Sequence, residues 1–162
     1  MSKENPAQNH DDIYQVVARY CAYQERCRKE AADKLRSLDI AEPEAATLLR
    51  RLEQENFIND ERFAMMFAGG KFRLKKWGRN KIRYALQLKH IPPSLIREAL
   101  GTIDEKSYQA TIEKLARQKF TLLARENMPQ RKIKTVRFLV QRGFEPALSQ
   151  KAVAKISAAS TT

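Results

Sequence analysis

The chain has 162 residues, enough for one ordinary domain or several small stacked units, and its hydrophobic content of 43% argues against global disorder. With only 5 glycines and 6 prolines, it is poorly supplied for a β-rich fold with many tight turns, and a helical fold is favoured. Its net charge of +12 at pH 7 favours a polyanionic partner.

The first predicted unit covers residues 11–56 and follows an N-terminal segment, residues 1–10, that we expect to be disordered. Its long helix is predicted to start near Asp11, because a short acidic side chain can accept from the free N–H groups of a first turn. The residues expected to face inward on this helix are Ile13, Val16, Val17 and Tyr20.

The second predicted unit covers residues 57–103, with a long helix from about Asp60 and inward-facing Phe63, Met66 and Phe67. Asn59 or Asp60 suits the start of this helix, and Asp60-Glu61 is interpreted first as a helix cap and alternatively as an acidic contact for a protein partner. Gly69-Gly70 lies inside this helix, where each glycine costs on the order of 1 kcal/mol relative to alanine. We therefore expect a weak point or a bend there.

The third predicted unit covers residues 104–157 and precedes a C-terminal tail, residues 158–162. Its long helix is predicted to start near Asp104, again a residue type that caps helices. The residues expected to face inward are Ile112, Leu115, Ala116 and Phe120.

Four apolar positions recur in the three units with the same internal spacing of 5, 9 and 3 residues. They are Leu35, Ile40, Leu49 and Leu52, then Leu86, Ile91, Leu100 and Ile103, then Leu139, Phe144, Val153 and Ile156. A proline follows the second position in each copy: Pro43, Pro92 with Pro93, and Pro146. The pattern predicts an all-α protein of three tandem three-helix repeats, stacked into an elongated curved rod.

The charge is distributed unevenly along the chain. Residues 1–61 carry 9 basic and 13 acidic side chains, whereas residues 62–162 carry 22 basic and 6 acidic ones. No acidic residue occurs from Arg62 to Arg97, nor from Asn127 to Phe144. This asymmetry favours a polyanionic partner for the C-terminal two thirds, although a merely solvated basic surface is the alternative.

Two basic clusters are the candidate nucleic-acid or filament contacts. The first, in the second unit, comprises Lys71, Arg73, Lys75, Lys76, Arg79, Lys81, Arg83 and Lys89, and the second, in the third unit, comprises Arg131, Lys132, Lys134, Arg137 and Arg142. If residues 75–83 form one helix, Lys75, Arg79 and Arg83 share a face. No base-reading pattern is visible, so the predicted contacts are with phosphates and independent of sequence.

Two aromatic residues lie within the first basic cluster. Either Trp77 or Tyr84 could stack on a base, or pack in the core or between repeats, and the sequence leaves both interpretations open.

The chain shows no phosphate-binding glycine loop and no nucleophile or metalloprotease motif, and its two histidines are few for acid–base chemistry. We therefore expect no enzyme, no catalytic residue and no cofactor. Cys21 and Cys27 are expected to be reduced rather than metal ligands. No apolar run is long enough to span a membrane, and the opening MSKENP is unlike a secretory signal, so a cytoplasmic location is expected.

The stretch FINDERFA at residues 57–64, followed by WGRNKIRYALQLKHI at residues 77–91, resembles the central repeat of the RecX family. The resemblance rests on Asp60-Glu61-Arg62-Phe63-Ala64 and on the spaced positions Gly78, Ile82, Leu86 and Ile91. FLVQRGF at residues 138–144 fits as a third copy, and the resemblance covers about residues 11–157. The sequence departs from the family pattern at Asn59, at His90 and Asp39 where a glycine is usual, and at Gly69-Gly70.

The resemblance implies a non-enzymatic regulator of the RecA recombinase in DNA repair and the SOS response. It implies binding to the RecA filament on single-stranded DNA, and inhibition or modulation of strand exchange, ATP hydrolysis and co-protease activity. The expected partners are therefore the RecA filament, single-stranded DNA and, as a further candidate, double-stranded DNA, with no membrane, and the protein is expected to be a monomer. The alternatives are a nucleic-acid-binding protein that acts without RecA and a helical scaffold with incidental charge.

Overall fold

The computed structural model describes the backbone of residues 6–160 and the side chains of residues 9–160. Within that part of the chain there are nine helices and no strand. They are α1 (Pro6–Tyr23), α2 (Arg28–Ser37), α3 (Glu44–Gln54), α4 (Asp60–Lys75), α5 (Arg79–Leu88), α6 (Pro93–Gly101), α7 (Glu105–Leu122), α8 (Met128–Gln141) and α9 (Pro146–Ser160). Each successive triplet has a long first helix and two shorter ones, so the prediction of an all-α protein of tandem three-helix repeats is confirmed.

Helix α1 begins and helix α9 ends closer to the chain termini than predicted. Residues 6–10 belong to α1, which starts at Pro6, and a proline suits a first turn because its missing N–H would have no partner there. The C-terminal tail, predicted from residue 158, is still helical up to Ser160, and Ser157 is buried on the same helix. Residues 1–5 and 161–162 lie outside the described part of the chain.

By packing, the chain forms two compact units. Of the described residues, unit 1 comprises those up to Ala64 together with Lys89–Ile91, and unit 2 comprises Met65–Leu88 and those from Pro92 onward. These units do not coincide with the three predicted repeats. The predicted repeat boundaries at residues 56, 103 and 157 therefore stay a prediction.

Unit 1 is built on the inward stripe of α1 and on α2 and α3. Its core includes Tyr14, Val17, Leu35, Leu49 and Leu52, all with at most 3% of their surface exposed. Val16, predicted to face inward, is 43% exposed, because it lies two residues from both Tyr14 and Ala18 and so on the opposite side of the helix. Ile13 and Tyr20 are partly buried against the core.

In unit 2, the fully buried Tyr108 packs against two other aromatic rings. The Tyr108 ring contacts the rings of Phe72 and Phe144, with centroids 5.6 and 5.5 Å apart, and helices α7, α8 and α9 pack on one another. Met66, predicted to face inward, is 57% exposed, because it lies half a helical turn from the buried Ala68. The predicted inward residues of α7 are buried, except for the half-buried Leu115.

The repeated spacing of five residues is a helix-ending turn. Asp39, His90 and Gly143 have φ values of 59°, 56° and 96°, in the left-handed region at the same position of each copy. Ile40 N donates to Leu35 O at 3.1 Å, and Phe144 N donates to Leu139 O at 3.1 Å. This is the Schellman arrangement, in which the two apolar residues on either side of the turn also come into contact.

The starts of the long helices are capped in different ways. Asp104 accepts from Ser107 N at 2.9 Å, as predicted. For α4 the cap is Asn59, which accepts from Arg62 N at 3.0 Å, and Asp60 instead accepts from Arg28 N at 2.8 Å at the start of α2. Helix α4 continues through Gly69-Gly70 from Asp60 to Lys75 without interruption, and the expected weak point there stays a prediction.

Candidate nucleic-acid interface

The first basic cluster is divided between two helices. Helix α4 ends at Lys75, Lys76 is left-handed with a φ of 55°, and α5 begins at Arg79. Trp77 N closes the turn by donating to Lys71 O at 3.2 Å. Lys75, Arg79 and Arg83 therefore do not share the face of one helix, and that prediction is wrong.

Arg79 is occupied inside unit 2. Its guanidinium pairs with Glu105 and, at 2.9 Å, with Glu145, and it lies 3.8 Å from the centroid of the Tyr108 ring. The Tyr108 hydroxyl donates to Glu145 and accepts from Arg79 N at 3.1 Å. Burial opposes the charge of Arg79, but the bonds to Glu145 and Glu105 prevail and raise its pKa. The arrangement assigns Arg79 a structural role.

Arg142, predicted as a polyanion contact, caps the end of α4. Its guanidinium donates to Lys75 O and, at 3.3 Å, to Lys76 O, two carbonyls that have no partner within the helix. A backbone hydrogen bond joins the same two segments, since Gly78 N donates to Arg142 O at 2.8 Å. Arg142 is thus committed to the joint between α4, α5 and the α8–α9 turn.

Two further members of the second cluster also have internal partners. Arg131 donates to Phe120 O at 2.7 Å and lies 3.6 Å from the centroid of the Phe120 ring, and Lys134 pairs with Glu126. Lys132 and Arg137 are exposed and have no ion-pair partner among the described residues. Two of the five predicted residues are therefore exposed cations without an ion-pair partner in the described part of the chain.

The first cluster keeps most of its cations available to a ligand. Arg73, Lys75, Lys76, Lys81 and Arg83 are exposed, and within residues 9–160 none of them is paired with a carboxylate. Arg83 donates to Asn80 at 2.8 Å and Lys76 to Arg73 O at 2.8 Å, both uncharged acceptors. Lys89, by contrast, belongs to unit 1, where it pairs with Glu30 at 2.7 Å.

Two lysine side chains lie beside the ring of Trp77. Its ring meets Phe67 edge to face, with centroids 6.4 Å apart, and the Nζ atoms of Lys71 and Lys81 lie 4.9 and 4.6 Å from its centroid. The ring is half-buried, so its exposure alone does not choose between stacking on a base and packing in the core or between repeats. Tyr84 is 62% exposed on α5 and is therefore not a core residue.

In unit 1 many of the charged side chains form ion pairs with one another. Ion pairs join Arg28 to Glu53, Arg62 to Glu25, Lys29 to Asp33, and Arg51 to Asp11 and Glu55. Exposed pairs of this kind contribute little stability, typically below ~1 kcal/mol each, but they leave little net field. The uncompensated positive field therefore resides in unit 2.

Sequence reasoning missed the acidic partners Glu105 and Glu145 and the bridging Tyr108. A signal was available, because only six acidic residues occur in residues 62–162. An acidic side chain in so basic a region is a candidate for an internal ion pair. Ion pairs are formed by Glu105, Glu113, Glu126 and Glu145.

Neither a metal centre nor a membrane span was found in the part of the chain that the structure describes. No three His, Cys, Asp or Glu side chains come together there as ligands, and no helix is both long and apolar enough to cross a bilayer. Cys21 and Cys27 are buried free thiols, and burial raises the pKa of both, to about 11 for Cys21. Buried thiols of raised pKa are poor nucleophiles.

Comparison with known proteins gives a consistent result. Residues 59–100 match the family model described as the second three-helix domain of RecX, and residues 106–153 match that of the third. The chain is 33% identical over 132 residues to the regulatory protein RecX of Chlorobium phaeobacteroides strain BS1, an alignment that covers 82% of this chain and 85% of that protein.

It is also 33% identical over 122 residues to the regulatory protein RecX of Clostridium perfringens strain 13, covering 74% of this chain but only 57% of that longer protein. The chain thus spans about half the length of several relatives that it matches. The crystal structure of RecX from Lactobacillus salivarius has the same fold, with a TM-score of 0.85, 24% identity, and coverage of 94% of this chain and 99% of that one. On the strength of the matched domains and the well-covered relative, this chain belongs to the RecX family.

Proposed function

We propose that the protein is a non-enzymatic regulator that binds the RecA filament on single-stranded DNA and inhibits or modulates its recombinase, ATPase and co-protease activities. Membership of the RecX family, whose matched relatives are called regulatory protein RecX, supports a regulatory role. The observation that carries the proposal is the run of exposed cations without carboxylate partners at the α4–α5 junction.

The α4–α5 junction suits the backbone of a nucleic acid better than a specific base sequence. Lys75 and Arg83 are exposed side chains on adjacent helices, and neither has a carboxylate partner among the described residues. Such groups gain affinity by displacing the counterions that surround phosphates, an effect that is independent of sequence and weakens with salt. A filament that presents a continuous phosphate backbone is a suitable polyanion for this surface.

The test is the DNA-dependent ATPase rate of the cognate RecA at fixed single-stranded DNA, titrated with this protein. The variant is Lys75→Glu with Arg83→Glu, which spares the structural Arg79. The matched control is Lys106→Glu with Lys151→Glu, because these exposed lysines lie on α7 and α9 of the same unit and the change in net charge is equal.

We expect the unaltered protein to lower the ATPase rate at less than one copy per RecA, the double variant to require several-fold more, and the control to act like the unaltered protein. Equal weakening by both variants would reduce the effect to net charge. An unchanged RecA rate, together with salt-sensitive binding to bare DNA, would favour a nucleic-acid-binding protein that acts without RecA.

A further inference from the structure

The turn between α4 and α5 holds two positive charges close together without a visible counter-charge. The Nζ atoms of Lys71 and Lys81 each lie within 5 Å of the Trp77 ring centroid, so they are within about 10 Å of each other. That is no more than the Debye length of ~10 Å at 0.1 M salt, so the two charges repel. Neither lysine has an ion-pair partner in the described part of the chain, and no acid occurs from Arg62 to Arg97.

The position of both lysines is set by the fold. Lys71 lies on α4 above Phe67, with its Nζ 5.3 Å from that ring centroid as well. Lys81 lies in the first turn of α5, where its Cβ and backbone N come so close to Gly143 that a Cβ at Gly143 would lie 2.3 and 2.6 Å from them. The indole offsets part of the repulsion by cation–π attraction, worth ~0.5–1 kcal/mol per exposed cation, and it keeps both ammonium groups beside one ring.

Tyr84 extends this surface along α5. It follows Lys81 by three residues, so both side chains lie on the same side of the helix. Its ring is 62% exposed, and within residues 9–160 it makes no ring contact. Backbone phosphate bound at Lys81 would place a neighbouring base on the side of α5 that carries the exposed Tyr84 ring, and phosphate contacts beside stacking aromatics are the combination by which single strands are bound.

From this geometry we infer that Lys71, Trp77, Lys81 and Tyr84 form a contact site for single-stranded DNA, in which the two lysines bind backbone phosphate and Tyr84 stacks on a base. Trp77 serves as the support that positions the lysines, because both ammonium groups already lie beside its ring. The inference deepens the proposed function and rests on it for the choice of single-stranded DNA as the ligand. It also separates the roles of two aromatic residues that the sequence does not distinguish.

The experiment is a titration of the full chain, without RecA, with a 20-nucleotide oligo-dT, read by tryptophan fluorescence and by the anisotropy of labelled DNA. Trp77 is the sole tryptophan of the chain, so its emission reports on this site alone. The variants Lys71→Met and Lys81→Met keep the apolar stem and remove the charge, and Tyr84→Ala removes the ring. The matched controls are Lys151→Met and Tyr23→Ala, the second because Tyr23 is an 86% exposed tyrosine in unit 1.

We expect DNA to change the Trp77 emission, and each lysine variant to reduce the slope of log K against log salt by about 0.7. Tyr84→Ala is expected to weaken binding roughly tenfold with the salt slope unchanged. The controls should leave both quantities as they are.

An unchanged salt slope in both lysine variants, or a Trp77 emission that does not respond to saturating DNA, would overturn the site. If Tyr84→Ala behaved like Tyr23→Ala, the stacking role would be wrong. Because RecA is absent from this experiment, its failure leaves the ATPase result of the proposed function standing, and the reverse also holds.

Discussion

Gly78 and Gly143 are in backbone contact, so close that neither position has room for a side chain. A Cβ added at Gly78 would lie 2.2 Å from the carbonyl carbon of Gly143 and 2.2 Å from Phe144 N. Atoms of a backbone cannot step aside as the end of a flexible side chain can. The contact fixes the start of α5 against the turn between α8 and α9.

Gly78→Ala is therefore expected to destabilise the protein by ~3 kcal/mol, because the added methyl group forces the two backbone segments apart. The measurement is the free energy of unfolding from urea titration followed by circular dichroism. Gly70→Ala is the matched control, since a Cβ there has nothing within 4 Å, and it should stabilise α4 by ~0.5–1 kcal/mol. Similar effects of the two substitutions would contradict the contact.

Arg79→Met is expected to destabilise unit 2 by about 3 kcal/mol, because it leaves the Glu145 carboxylate without its cation beside the buried Tyr108. The comparison is Arg83→Met on the same helix, which should change stability by less than ~0.5 kcal/mol. Adding Glu145→Gln to Arg79→Met should restore part of the loss. A full loss that Glu145→Gln does not relieve would show that the pairing is not its cause.

Arg142→Ala is expected to destabilise the protein by about 1–2 kcal/mol, since the carbonyls of Lys75 and Lys76 lose their donors. The matched substitution is Arg137→Ala, an exposed arginine of α8 whose loss should be nearly neutral. Thermal unfolding of the two variants side by side distinguishes a cap from a surface charge. Equal unfolding temperatures would return Arg142 to the set of candidate phosphate contacts.

Alkaline pH is expected to weaken the fold through Cys21. Burial raises the pKa of this thiol from 9.0 to about 11 in the folded state, so the folded protein resists its ionisation while the unfolded chain does not. The associated stability is complete below pH 9 and is lost as the pH rises toward 11, a fall of about 1 kcal/mol between pH 8 and pH 10. Urea unfolding at both pH values, compared with Cys21→Ala, isolates this loss. An equal decline in the variant would assign it to other groups.

The apolar framework could be predicted from sequence because its causes are local. The spacing of Leu35 with Ile40, and of Leu139 with Phe144, is that of the two residues flanking a left-handed turn, and it repeats whatever residue occupies the turn itself. Of the twelve repeated apolar positions, all but Ile40 are buried. Periodicity also located the long helices to within a few residues.

The basic clusters could not be resolved from sequence, for two physical reasons. Helix α4 ends at Lys75 and is followed by a left-handed lysine, Lys76, a residue type with no turn preference, so the sequence predicts one continuous helix over residues 75–83. The second reason is distance along the chain, because Arg79 meets Glu145 66 residues away and Arg142 meets Lys75 67 residues away. A charge count cannot distinguish a cation held by such a partner from one left for a ligand.

The three N–H groups at the start of α5 all find their acceptors in the third repeat. Gly78 N and Asn80 N donate to the carbonyls of Arg142 and Gly143, at 2.8 and 2.9 Å, and Arg79 N donates to the Tyr108 hydroxyl. If the third repeat opens, α5 therefore loses its cap and its ion pairs together. Tandem repeats often unfold one after another, but we expect the second and third repeats of this protein to unfold together in one cooperative transition. A chain truncated before α7 would lack the acceptors that cap α5, so α5 would not be stable in it.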